Sequence, residues 1–208
     1  ALQLAVALGT GLVAAFIRGL AGFGLAILLV PVLALALTPV EAVLTTNVVA
    51  MLIGGIELPR LLREAERSVW TIIGLVLLTT LPGLMLLAAT PPDLARLLIA
   101  LVALSAFVAI LFPVRKPEQP GAVTTGLTGV ATGVLTGFAG MPGPPVVPYY
   151  VGRAIPRQVA KSSMILIFTF AALIGIGSGV ALGRMEWRLA LLGAMLLPVV
   201  IVGTWLGR

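Results

Sequence analysis

The sequence predicts an all-α polytopic membrane protein of two inverted repeats, each starting with a broken, re-entrant helix followed by transmembrane helices. Three observations carry this. Of 208 residues, 60% are hydrophobic and only 10% charged, with a mean hydropathy of +1.20, whereas a soluble domain carries about 25% charged residues. The apolar residues gather in runs of about 20 or more, the helix length that a hydrocarbon core of about 30 Å requires. Two of these runs carry matching glycine- and proline-rich interruptions, about half a chain apart.

The first run, residues 1–37, would extend about 55 Å as one helix, nearly twice the hydrocarbon thickness. It must break, and Gly19-Leu20-Ala21-Gly22-Phe23-Gly24 is the place. Residues 1–16 lack the basic stretch of a secretory signal and run on into apolar sequence, so they are expected to belong to the mature membrane domain. Spans 40–58, 69–89 and 94–112 follow, separated by polar residues between 59 and 67 and by Thr90-Pro91-Pro92-Asp93. Residues 113–120 are Pro-rich and charged, and form the linker between a first repeat at 1–112 and a second at 121–208. The run 121–151 is interrupted at Gly137-Phe138-Ala139-Gly140-Met141-Pro142-Gly143-Pro144-Pro145, whose prolines remove donors and clash with the preceding turn. Both broken runs are therefore expected to be pairs of half-helices. Spans 155–182 and 187–206 complete the chain, and the counterpart of 94–112 would fall near 210–229, beyond Arg208.

Sliding the chain on itself by 117–118 residues brings the breaks into register. Gly19 to Gly22 fall on Gly137 to Gly140, Pro31 on Pro148, Pro39 on Pro156, Glu41 on Gln158, Thr45-Thr46 on Ser162-Ser163 and Trp70 on Trp187. Basic residues decide how the halves are oriented. If the broken elements cross the membrane, Arg60, Arg63, Arg67, Arg115, Lys116, Arg184 and Arg188 lie inside and five basic residues outside. If they dip in and return, Arg60, Arg63, Arg67, Arg115, Lys116, Arg153, Arg157, Lys161 and Arg208 lie inside, against Arg96, Arg184 and Arg188. Nine against three favours the re-entrant, inverted arrangement.

The chain has no His and no Cys. Ser-His-Asp and Cys-His triads, His- or thiolate-bound zinc and His-ligated haem are therefore excluded. Aspartyl proteolysis needs two membrane aspartates where only Asp93 exists, in a loop, and Ser178 has no evident base. No enzyme and no cofactor are expected. The net charge of +6 lies in short clusters between apolar runs, which fits membrane orientation and an anionic substrate rather than nucleic acid.

Paired broken helices offer the N–H groups of half-helix N-termini to an anion at the membrane midplane. Candidate backbone donors lie around Gly22, Phe23, Gly24, Gly140, Met141 and Gly143; alternatively, the glycines serve helix packing. Arg18, inside the apolar run, costs at least ~2.5 kcal/mol there and is either an anion ligand or snorkels to the interface. Thr45, Thr46 and Asn47, with Ser162 and Ser163 at the matching place, could complete an anion's hydrogen bonds, though hydroxyls also bond back to their own helix. Lys161, adjacent to the Ser pair, could add positive charge but is expected to anchor its helix at the inner interface. Glu41 and Glu57 are candidates for proton coupling, or are interfacial or paired to Arg60. Glu64, Glu66, Glu118 and Glu186 are expected to be solvated loop charges.

The two breaks, Arg18-Gly19-Leu20-Ala21-Gly22-Phe23-Gly24 with Pro31 following and Gly137-Phe138-Ala139-Gly140-Met141-Pro142-Gly143 with Pro148 following, resemble the sulfite exporter TauE/SafE family of permeases over essentially the whole chain. That resemblance implies transport of sulfite, thiosulfate, sulfoacetate or related small oxyanions, and members with about eight hydrophobic segments. The expected function is a secondary transporter of a small anion, working by alternating access about a midplane site in a multi-pass cell membrane protein, such as that of a bacterial inner membrane. An anion channel and a structural membrane subunit are the alternatives. The partners expected are the anion, the bilayer, a coupling proton or sodium ion, and a second copy in a homo-oligomer.

Overall fold

The computed structural model describes residues 2–21, 23–111, 120–151 and 153–207. Among them the chain forms helices α1 (Leu2–Ala21), α2 (Leu25–Leu33), α3 (Pro39–Glu64), α4 (Ser68–Ala89), α5 (Pro92–Leu111), α6 (Ala122–Ala139), α7 (Gly143–Val151), α8 (Arg157–Ala181) and α9 (Trp187–Leu206). Of these, α3, α4, α6, α8 and α9 are long and apolar enough to cross a membrane. Residues 112–119, which include most of the 113–120 linker and Glu118, lie outside the described residues.

Both breaks fall where glycine and proline dictate, but they divide the runs unequally. Helix α1 has 20 residues and α6 has 18, whereas α2 and α7 have 9 each. At 1.5 Å per residue this is a full-depth helix of about 30 Å followed by a return of about 13 Å, not two half-helices. Gly140 ends α6 at φ 65°, and Gly24 precedes α2 at φ 106°. Both values belong to the left-handed region, where a Cβ is strained. Helix α3 starts on a capping box: Pro39 stands in its first turn, the Thr38 hydroxyl accepts from the Glu41 N–H, and the Glu41 carboxylate accepts from the Thr38 N–H at 2.9 Å.

In a bilayer, helices associate through close packing of small residues rather than by expulsion of water. Gly129, Gly133 and Gly137 form such a stripe on α6, against Leu75, Thr79 and Thr80 of α4; a Cβ on Gly137 would lie 2.1 Å from the Thr80 carbonyl oxygen. On α9, Gly203 and Gly207 press on Ala15 and Phe16 of α1 in the same way. In both pairs the residue numbers rise together, so the helices run parallel. Helix α3 meets α8 head to tail: Leu44 faces Gly179, Asn47 faces Gly175, Gly54 faces Thr169, and Ser162 donates to Glu64. Helix α4 thus packs on α6 and α9 on α1, with α3 and α8 between them.

The short helices are held at their carboxyl ends. Arg96 Nε donates to the Ala34 carbonyl just beyond α2 at 2.8 Å. Beyond α7, Arg153 pairs with Glu66 and lies over the rings of Tyr149 and Tyr150, at 5.2 and 5.6 Å from their centroids. Ser68 bonds Glu66 and the Tyr150 hydroxyl. Glu64 and Glu66 are therefore not solvated loop charges. The connection between α3 and α4 is so short that it brings both carboxylates against α7 and α8, where Glu64 accepts from Arg60, Gln158 and Ser162. Glu186, by contrast, is exposed and accepts from Arg188 at 2.6 Å. Trp187 and Trp205 stand exposed near the two ends of α9, about 27 Å apart along the helix. That separation suits the aromatic belts at the two faces of a bilayer.

Candidate functional site

The two breaks meet inside the bundle. Gly140 packs against Val30 of α2 and Val43 of α3, and Gly143 lies beside Ile27. Between the breaks is a chamber of about 50 Å³, lined by Phe23, the first turn of α2 from Gly24 to Ile27, residues 140–143, and Asn47. Ile165, Phe168 and Thr169 of α8 complete its wall. The first-turn N–H groups of a helix have no acceptor within the helix. Gly24 gives α2 no side-chain cap, so the positive end of the α2 dipole faces the chamber.

The second break contributes differently from what the sequence suggests. The Gly140 N–H bonds Thr136 O at 3.0 Å and the Met141 N–H bonds Leu135 O at 3.2 Å, so these groups close α6, as a left-handed glycine at a helix end commonly allows. Pro144 and Pro145 have no N–H to give. Gly140 and Met141 are walls of the chamber, with Gly143 beside them, and α2 is the main donor end.

Asn47 is 2% exposed, lines the chamber, and its Nδ2 has no hydrogen-bond partner. A buried amide without a partner costs about 1–3 kcal/mol. Thr45 and Thr46 are equally buried and their hydroxyls also lack partners, but neither lines this chamber; the Thr45 backbone faces Gly193 of α9. Gly22 lies outside the described residues.

A second cavity, of about 200 Å³, adjoins the chamber. It is lined by Arg18, Gly19, Glu57, Arg60, Gln158 and Lys161, with Leu61, Ser162, Ile165 and Thr204. Exposed Arg60 and Gln158 lie along its rim. Arg18 and Ile165 line both cavities and mark their junction. Arg18 is 8% exposed and lies 3.6 Å from the Glu57 carboxylate, so it does not snorkel into solvent. Lys161 Nζ donates to the Gly19 carbonyl at 2.9 Å, at the end of α1, where the helix dipole favours a cation. Three cations and one carboxylate line this vestibule, giving it a positive field that concentrates anions.

Other sequence candidates are engaged elsewhere. Ser162 lines the vestibule but donates to Glu64, and Ser163 accepts the Glu66 N–H at 3.0 Å. Glu41 belongs to the α3 capping box and pairs with Arg188, and it lines neither cavity. Lys161, Gln158, Thr169 and Thr204 are vestibule or chamber residues that the sequence did not single out as ligands. Gln158 carried a signal as the repeat counterpart of Glu41, and Lys161 as a cation beside the Ser pair. Among the described residues no cluster of acidic side chains could hold a metal ion.

Long apolar helices, two of them followed by short returns that meet in a chamber under a basic vestibule, define a polytopic helical membrane protein of the transporter class. A family model for the sulfite exporter TauE/SafE matches residues 7–208, and the chain belongs to that family. It is a family of membrane transporters, not enzymes. The chain is also 27% identical over 123 residues to the "Probable sulfite/organosulfonate exporter TauE" of Cupriavidus necator, a region covering 59% of this chain and 48% of that protein. The match thus spans about half the length of that relative. No solved structure gives a significant match.

Proposed function

We propose that the chain is a secondary transporter of a small anion, sulfite or another sulfur-containing or organic oxyanion, bound at the junction of vestibule and chamber. The observation that carries this reading is the placement of Arg18. Its guanidinium stands where the vestibule meets a chamber walled by the first turn of α2 and by the partnerless amide of Asn47. A planar donor fork, a helix N-terminus and an amide suit an oxyanion with several acceptor oxygens. The reciprocal packing of α4 on α6 and α9 on α1, with α3 and α8 head to tail, supports reading the halves as inverted repeats that rock about this site. The Arg-rich vestibule end then faces the cytoplasm.

Purified protein in liposomes tests this. We expect saturable sulfite flux, inhibited by thiosulfate or small sulfonates, and at least about tenfold weaker sulfite binding in Arg18→Gln, as the loss of a charged hydrogen bond worth ~1.5–3 kcal/mol implies. Flux that rises linearly with concentration and follows voltage alone would assign a channel. Unchanged binding in Arg18→Gln would remove Arg18 from the site.

A further inference from the structure

We infer that Glu57 is a built-in competitor for Arg18: its carboxylate holds the guanidinium in the empty carrier, and an incoming anion must displace it to reach the chamber. This rests on the transport reading above and adds a residue that sets affinity and selectivity. Arg18 belongs to α1 and Glu57 to α3, and both are largely buried, at 8% and 15% exposure. Both line the vestibule, and Arg18 also lines the chamber beyond. A carboxylate presents two oxygens to a guanidinium in the same plane that an oxyanion would use. Substrate and Glu57 therefore compete for one donor fork, and the like charges oppose simultaneous occupation.

The displaced carboxylate has somewhere to go. Arg60 lies one turn along α3 and Lys161 projects from α8, and both line the same vestibule as Glu57. The remaining acidic neighbour, Glu64, is already engaged by Arg60, Gln158 and Ser162, and α9 contributes only the uncharged Thr204 to the lining. The swap exchanges one cation partner for another, so the carboxylate is never left buried and uncompensated, which is the costly alternative. It also filters anions. One that offers two coplanar oxygens can take two N–H bonds of the fork at once, whereas a spherical halide makes fewer hydrogen bonds to it and displaces the Glu57 carboxylate poorly.

The test compares wild type, Glu57→Gln and Glu57→Asp in detergent, using sulfite and chloride as probes in a binding titration and in thermal unfolding. We expect Glu57→Gln to bind sulfite on the order of tenfold more tightly, and to gain chloride binding that wild type lacks. Glu57→Asp, which keeps a shorter carboxylate, should fall between them. The unliganded Glu57→Gln protein should unfold at a lower temperature than wild type and recover more on adding sulfite. Sulfite affinity in Glu57→Gln equal to or weaker than wild type, or no change in the sulfite-to-chloride ratio, would overturn the inference while leaving the transport reading in place. Absence of sulfite binding by every form, wild type included, would overturn both.

Discussion

Asn47 sits where packing and the proposed anion binding make opposite demands. Its amide nitrogen is buried without a partner against Gly175, where even a Cβ would intrude to 2.3 Å. Leucine has the same heavy-atom branching and no polar atom to desolvate. Asn47→Leu should therefore raise stability, by about 1–3 kcal/mol, and abolish or sharply reduce anion flux. Thermal unfolding and liposome uptake read the two effects separately, and full flux in a stabilised Asn47→Leu protein would make the residue a packing element. The sequence pointed to Asn47 as a polar group inside a span, but it grouped Thr45 and Thr46 with it. Their positions on the helical wheel turn them away from the chamber, and only the packing of α3 against α8 and α9 reveals which face meets the site. The pairing of Arg18 with Glu57 was equally illegible, because it joins residues 39 positions apart on different helices.

At the level of elements, glycines on one helix play opposite parts. On α6, Gly137 lies against the α4 backbone, whereas a Cβ on Gly126 would meet nothing within 4 Å. Gly137→Ala must push α4 and α6 apart and should lower both stability and transport. Gly126→Ala should be neutral or stabilising by up to about 1 kcal/mol, through helix propensity alone. Unfolding midpoints of the two variants check this, and equal effects would mean that close α4–α6 contact contributes nothing. The breaks themselves were readable from sequence, since Gly and Pro leave a helix few alternatives. Their unequal division was not. Nothing in Gly137 to Pro145 says which residue ends the long helix, and the outcome follows from Gly140 alone taking the left-handed conformation in that stretch. The same hydrogen bonds that close α6 there withdraw two backbone donors from the site.

For the whole molecule, apolar content and charge placement already specified a multi-pass membrane protein, and the family match agrees. What composition left open was which end of the bundle carries the vestibule. The structure puts it at the carboxyl end of α3 and the amino end of α8, among Arg60, Gln158 and Lys161. If that end faces the cytoplasm, single cysteines introduced as Arg67→Cys and Glu186→Cys, both exposed positions, should be labelled by a membrane-impermeant thiol reagent from opposite sides. The native chain has no cysteine to interfere. Labelling of both from one side would refute the arrangement.

The arginine ties beyond α2 and α7 have a mechanical consequence. A rod fixed at one end sweeps its widest arc at the other. With Ala34 held by Arg96 and Arg153 held by Glu66, each short helix is anchored at its carboxyl end, and its glycine-rich amino end is the part that a tilt would carry furthest. A few degrees of tilt would leave the ties intact and displace the chamber walls. If the two helices tilt during transport, the proposed site would therefore move the most, while the charged groups at the ties, costly to separate, would stay almost still.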